Sequence, residues 1–515
     1  MGRAVRGLVV LLAATALGCG AERADLVVAN NADPASLDPQ VASGAPEGRV
    51  LNALSCGLTR LDPATLEPLP ALAERWESGE GGRSWTFVLR PELRWSDGSP
   101  LTAEDVAASW RRLLDPATAA PYREWLEPLE LLEVVGRELR LRFRHPQPAF
   151  AEMCAFHALA PLPAAVREGR RPAGEVSNGP FRLRERRIRH GVLLEANPHY
   201  WDAANVALRT LEFRTVESQF TALNLFLTGE ADFVPEVPNL AVPALLAREA
   251  DRPGLRPEFA PSPFLATYFY RFHVGDPALA DPRVRLALSL AVDRGALAAA
   301  LGGGQPAAAS FVPPWIPGYT APALGRLHDP DRARTLLAQA GHPGGAGLPE
   351  LELLFNSAEV HRDVAEVLQA QWRAELGVRT RLQNQEWKVF LDAQRGLDYQ
   401  LSRSSWIADF RDPATFLEIF RSGSPNNRTG WSDPAYDDLL DRARDCPDPA
   451  ERMALFQQAE RRLLEDAPLL PLFFYSNQEL VAGRIRGFTR NPLGWVDWGR
   501  LSVESGPEAA VESGR

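Results

Sequence analysis

An α/β architecture in two or three lobes is what this sequence predicts, on three observations. Segments whose apolar residues alternate with period two are interleaved with segments of helical period. The roughly 490 residues left after removal of a leader exceed what one hydrophobic core serves, which argues for two or three lobes. No internal repeat and no long low-complexity linker separates those lobes, so the chain crosses between them more than once.

The N-terminus carries an address. Arg3 and Arg6 precede the apolar run Leu8 to Leu17, which is too short to span a bilayer and ends in small residues at Gly18 before Cys19. Ala16-Leu17-Gly18-Cys19 resembles a bacterial lipobox, with Ala16 where that pattern prefers Leu. Residues 1–18 are therefore expected to be a lipoprotein signal peptide and Cys19 the lipid-attachment site, with no later membrane span.

Further along, Trp85, Phe87 and Leu89 alternate with Thr86, Val88 and Arg90, and Leu139, Leu141 and Phe143 with Arg140, Arg142 and Arg144. Both read as half-buried strands with one wet face. Thr102 with Asp105 is a helix-start signal for a helix running through Trp110 and stopping before Pro116. Asp329-Pro330 starts another, closed by Gly341. A third, from about Arg362 to Gly377, places Val364, Val367, Leu368, Gln371 and Trp372 on one stripe, which marks Trp372 as core. The Glu-, Gly- and Ser-rich tail, 502–515, is expected to be disordered.

Composition excludes several functions. A net charge of −10 and a pI near 5.5 leave no basic face for phosphate neutralisation, so no nucleic-acid partner is expected. Lys388 is the single lysine, so no Gly-Lys-Ser/Thr phosphate loop exists. There is no Gly-x-Ser-x-Gly elbow, no His-Glu-x-x-His pair and no CxxC, and the eight histidines are scattered; neither a catalytic set, a cofactor nor a metal site is predicted. Cys56, Cys154 and Cys446 allow one disulfide, its pairing open.

Nine short blocks then occur in a fixed order: Asp33-Pro-Ala-Ser-Leu-Asp-Pro39; Arg94-Trp-Ser-Asp-Gly-Ser-Pro100; Thr102-Ala-Glu-Asp-Val with Ser109-Trp-Arg-Arg; Asn178-Gly-Pro-Phe181; Asn197-Pro-His-Tyr-Trp201; Asp281-Pro-Arg-Val-Arg285; Asp293-Arg294; Asn384-Gln-Glu-Trp-Lys388; and Trp406-Ile-Ala-Asp409 with Asp412-Pro413. Together they resemble the oligopeptide-binding components of bacterial ABC importers, extracellular solute-binding family 5, over residues from about 26 to 500. The resemblance implies a three-lobed type II periplasmic-binding-protein fold. Lobe I comprises 26–45, 179–294 and 479–501; lobe II is inserted at 46–178; lobe III spans 295–478. It also implies a monomer that closes two lobes over a short peptide and delivers it to permease subunits with their ATPases, held to the membrane only by the N-terminal lipid.

By the same resemblance, Asp409 pairs with the peptide's α-amino group, with Ser405 and Ile407 as backbone hydrogen-bonding positions beside it. Arg403 meets a ligand carboxylate, Trp387 and Trp406 stack on ligand side chains, and Asp33 lies at the cleft where the family usually has Glu. Asn356 and His361 reach the far pockets or the carboxyl end, Tyr268 and Tyr270 either both face the cleft or both face away, and His273 replaces a family asparagine. Plainer roles stand beside these: helix capping for Asp409, an Asp-Pro turn for Asp33, core packing for the tryptophans and an exposed helix start for His361. The fold also admits other ligands, a nickel chelate, haem, a sugar or an opine, or a signalling adaptor that feeds no transporter.

Overall fold

A computed structural model of the chain describes residues 23–251, 257–323, 325, 327–357 and 359–504. The expected signal peptide and Cys19 lie outside the described residues, as does most of the C-terminal tail. Ser502–Val503 nevertheless pairs with Ile485–Arg486, so the ordered chain extends beyond the expected limit at 501. Among the described residues no helix is long and apolar enough to cross a membrane.

Three sheets organise three bodies. In the first, the strands run in the order Leu480–Val481, Phe233–Val234, Leu26–Asn30, Thr210–Thr215, Gly191–Ala196, Phe181–Arg187. Leu26–Asn30 is parallel to both neighbours and buried along its whole length, which explains a continuous LVVAN run instead of an alternating one.

The second body is an antiparallel sheet ordered Ala73–Gly79, Ser84–Leu89, Glu138–Phe143, Leu129–Val135, covered by the helix Ala103–Leu114. That helix starts where Thr102 N–H donates to Asp105 Oδ2 at 3.0 Å. Its Trp110 is fully buried, donates through Nε1 to Leu159 O at 2.9 Å and meets Phe150 edge-on at 5.8 Å. Leu139, Leu141 and Phe143 are buried between exposed arginines, as alternation requires, whereas Val88, expected on the wet face, is buried as well.

The third body is a mixed sheet ordered Thr380–Gln385, Leu351–Asn356, Leu401–Ile407, Ser262–Phe272, Leu469–Asn477. The helix Glu359–Leu376 buries Val364, Leu368 and Trp372 against it, and Trp372 Nε1 donates to Leu288 O at 2.8 Å.

Two lobe limits differ from expectation. Ser262–Phe272 and the helix Pro282–Leu290 belong to the third sheet and its core, so lobe III begins near residue 260 and not at 295. The helix Ala45–Leu54 sends Val50, Ala53 and Leu54 into the core of the first sheet, so it belongs to lobe I as a whole, although the expected limit puts 46–54 in lobe II. In both cases an apolar face is legible locally, but its partner is set by contacts distant in sequence. Cys56, Cys154 and Cys446 are free thiols.

Lobes I and III are joined by two adjacent chain crossings, where Ser262 pairs with Asn477 and Phe259 bridges Leu480. Gln478 Nε2 ties them across, donating to Asn239 Oδ1 at 3.1 Å and Gly303 O at 2.8 Å. Two short side-by-side crossings form a hinge geometry.

Candidate functional site

The strand Leu401–Ile407 has a bare edge. Its parallel pairing with Leu351–Asn356 covers only Leu401 and Ser402, whereas its antiparallel pairing with Ser262–Phe272 continues to Ile407. Ala408 N–H donates to Leu265 O at 2.8 Å, which fixes the phase of the ladder. In an antiparallel pair alternate residues turn their backbone groups toward the partner, so Ser402, Ser404 and Trp406 bond inward while Arg403, Ser405 and Ile407 face the other way. Gln394 Nε2 occupies Arg403 O at 2.8 Å. Among the described residues the backbone groups of Ser405 and Ile407 face no strand, and Ile407 is 51% exposed.

At the end of that edge stands Asp409. It is half-buried, and among the described residues its carboxylate accepts no hydrogen bond and pairs with no cation. Desolvation, reinforced by the Glu124 carboxylate, pushes its pKa up to about 7. The facing wall comes from lobe II. Trp125 meets the Phe410 ring at 5.9 Å and Tyr122 at 4.9 Å, and Tyr122 also meets Phe156 at 4.9 Å. Trp406 is half-buried against the lobe III core, with no partner for its Nε1 among the described residues.

The opposite charge waits near the start of the same strand. Arg403 is 8% exposed and has no carboxylate partner among the described residues; Nη2 donates to Tyr475 OH at 3.0 Å, Nη1 to Asn356 Oδ1 at 3.4 Å, and the guanidinium lies 4.9 Å from the Tyr268 ring centroid. Its Nε is buried without a partner. His361 Nδ1 lies 3.2 Å from Tyr268 OH, and burial, aided by Arg403, lowers its pKa to about 3, so the imidazole is neutral. His361 is thus buried, not exposed as the plainer reading had it. Tyr268 and Tyr270 share one face, both fully buried, and Tyr268 supports Arg403 from beneath.

Other expected positions lie apart from this constellation. His273 follows Phe272, which pairs with Leu401, so it sits at the end of the sheet away from Ile407, its N–H donating to Gln400 O at 2.9 Å. Trp387 opens the helix Trp387–Gly396, half exposed and stacked on Phe390 at 5.8 Å. Asp33, in lobe I, accepts from Thr215 Oγ1 at 3.4 Å and stands near the Asn31–Glu236 contact. Residues not singled out from sequence are Tyr122, Glu124 and Trp125 of lobe II, Tyr475, and Arg411. The Pro-Tyr-Arg-Glu-Trp loop has no periodicity to mark it, and its nearness to Asp409 is a long-range contact.

A family model described as bacterial extracellular solute-binding proteins, family 5 middle, matches residues 67–428. The chain belongs to that family. Among individual solute-binding proteins, it is 32% identical to the periplasmic murein peptide-binding protein MppA of Escherichia coli over 500 residues, 92% of this chain and 91% of MppA. It is 33% identical to the probable deoxycholate-binding periplasmic protein YgiS of the same organism over 496 residues, 91% of each. The fold is that of type II periplasmic binding proteins. The unliganded open form of MppA superposes with a TM-score of 0.76 at 31% identity, covering 94% of this chain and 98% of that one. Haemophilus influenzae OppA in complex with the peptide RPPGFSPFR superposes with a TM-score of 0.80 at 28% identity, covering 94% and 99%.

Proposed function

We propose that this solute-binding protein takes short peptides into the cleft beside the Leu401–Ile407 edge and hands them to the permease of an ABC importer, catalysing no reaction itself. The observation that carries the reading is a half-buried carboxylate, Asp409, and a buried guanidinium, Arg403, at the two ends of a bare strand edge, the first without a cation and the second without a carboxylate among the described residues. A zwitterionic extended ligand supplies what each lacks. Its ammonium meets Asp409, its backbone pairs with Ser405 and Ile407 as an added strand, and its carboxylate reaches Arg403 with Asn356 and His361 alongside. Arg403 to Ile407 is roughly 13 Å of strand, the backbone length of about four residues, which suits short peptides. Because recognition is of backbone and termini, side-chain sequence matters little, and the aromatic wall of Tyr122, Trp125 and Phe410 gives the first side chains an apolar surface.

Closure about the crossings at 259–262 and 477–480 presents the loaded form to the membrane complex. Cys19 carries the lipid that holds the processed protein at the extracytoplasmic surface, and the protein acts as a monomer. Thermal shift and titration calorimetry on protein stripped of ligand by denaturation and refolding test the proposal, with free, N-acetylated and C-amidated peptides, sugars and nickel. Stabilisation by free peptides above both blocked forms supports it; a response to sugars or nickel alone overturns it.

A second reading is favoured by the identity to YgiS. An amphipathic carboxylate would use Arg403 and the aromatic wall but leave Asp409 without a partner. Binding of deoxycholate with equal affinity in wild type and Asp409→Ala, and no binding of peptides, would decide for it.

A further inference from the structure

Two residues beyond Asp409, Arg411 reaches wholly into lobe II. Its backbone N–H donates to Glu152 Oε1 at 2.7 Å, Nη1 donates to Thr65 O at 2.7 Å, and Nη2 donates to Leu66 O at 2.8 Å and Glu67 Oε1 at 3.1 Å. Nε stands 3.6 Å from Glu152, and the side chain is only 10% exposed. Its neighbours hold the segment from either side. Phe410 meets Trp125 of lobe II, while Asp412 makes a bidentate pair with Arg452 at 2.6 and 2.9 Å, tying the segment to the helix Pro449–Asp466 of lobe III. Four consecutive residues therefore join the ligand-facing carboxylate, the contact with the opposite lobe and an anchor in their own.

The receiving socket is shaped by lobe II itself. Asp62 Oδ1 accepts from the N–H groups of Ala64 and Thr65 at 2.9 Å each, and Leu66 N–H donates to Asp62 O at 2.7 Å. This turn holds Leu66 at φ +60°, a left-handed conformation that residues bearing a Cβ avoid, with its side chain buried. The two carbonyls of the turn that Arg411 takes are those of Thr65 and the strained Leu66. Strain of this kind persists where surrounding structure enforces it, commonly at working sites.

We propose that Arg411 is a positioning residue that latches the closed form: its guanidinium seats in the Thr65–Leu66–Glu67–Glu152 socket as lobe III descends on the ligand, and so sets how far binding is pulled toward closure without itself reading the ligand's amine. This rests on the cleft being the ligand site. A planar guanidinium presents five donors in a fixed fork and so meets two carbonyls and a carboxylate in one preorganised geometry, whereas an ammonium is a compact point charge with three freely rotating donors.

The test combines calorimetry of a free tripeptide and its N-acetylated copy with small-angle X-ray scattering, with and without saturating peptide, on wild type, Arg411→Ala, Arg411→Lys and Glu152→Gln. Arg411→Ala is expected to weaken the free peptide about tenfold or more and to leave a larger radius of gyration at saturation, while the preference for the free amine is retained. Arg411→Lys recovers part of the affinity. Glu152→Gln removes part of the same bridge from the opposite lobe, so it must weaken binding in the same sense, and the double variant must cost less than the sum; this keeps the test valid if Arg411→Ala folds poorly. Unchanged affinity and scattering in Arg411→Ala, or loss of the amine preference, overturns the latch. If wild type binds no free peptide, the cleft reading falls and the latch with it, an outcome distinct from a variant-specific null.

Discussion

Replacing Asp409 with Asn is expected to move stability and affinity in opposite directions. Burial and Glu124 raise the Asp409 pKa from 3.8 to about 7 in the folded protein. A raised folded pKa means that the folded state holds the proton more tightly than the unfolded one. The associated stability is fully present below about pH 3.8 and is lost as pH rises toward about 7. A shift of about 3 units at ~1.36 kcal/mol each sets a ceiling of about 4 kcal/mol. Because solvent still reaches the carboxylate through the cleft, about 2 kcal/mol is the working figure. Asp409→Asn should therefore melt a few degrees higher than ligand-free wild type at pH 8 and with no difference near pH 4. The same change strands the peptide's ammonium and should weaken free peptides by about 2–5 kcal/mol, roughly 30- to 5000-fold, bringing them level with N-acetylated copies. Melting curves at pH 4, 6 and 8 and calorimetry on the same preparations read both effects. A variant that melts lower at pH 8 and binds peptide as well as wild type would mean that Asp409 merely caps local structure, and the ligand assignment would be wrong.

In wild type, peptide affinity should fall about tenfold per pH unit below 7, with measurable proton release from Asp409 in calorimetry at pH 6; a flat profile from pH 5 to 7 contradicts the assignment. Arg403→Ala should weaken free-carboxyl peptides by about 2–4 kcal/mol and C-amidated ones much less, so that the two converge in a competition assay. Ile407→Ala should change affinity less than about threefold, since only backbone is read there, whereas Ile407→Pro, which removes the outward N–H, should cost tenfold or more; equal effects would rule out strand addition. Glu460 is buried in lobe III and accepts from Phe311 N–H at 2.6 Å, Val312 N–H at 2.7 Å and Tyr319 OH, so Glu460→Ala should lower stability by about 3 kcal/mol in denaturant melts while peptide affinity holds.

Local signals were reliable where the deciding interaction is local. The Thr102–Asp105 helix start, the Asp329 cap, whose Oδ1 accepts from Arg332 N–H at 3.0 Å, and the buried stripe around Trp372 could be read from spacing alone. The outward phase of Ser405 and Ile407 was not legible in the same way. Alternation shows that they share a face, but which face is bare depends on the parallel neighbour ending at Ser402. The strand Ser262–Phe272 falls inside the expected lobe I range 179–294, yet it pairs with Leu401–Ile407 in lobe III, because that ladder joins residues over a hundred positions apart.

The sequence by itself determined the helix and strand segments of an α/β chain and, through nine blocks in a fixed order, its resemblance to the solute-binding family, because motifs and capping signals are properties of neighbouring residues. Only the tertiary structure decided that among the described residues Asp409 lacks a cation and Arg403 an anion, that Tyr122 and Glu124 of lobe II stand near Asp409, and that Arg411 seats in the opposite lobe. Those facts depend on desolvation and on which charges meet across folded distances, and no local pattern in the chain encodes them.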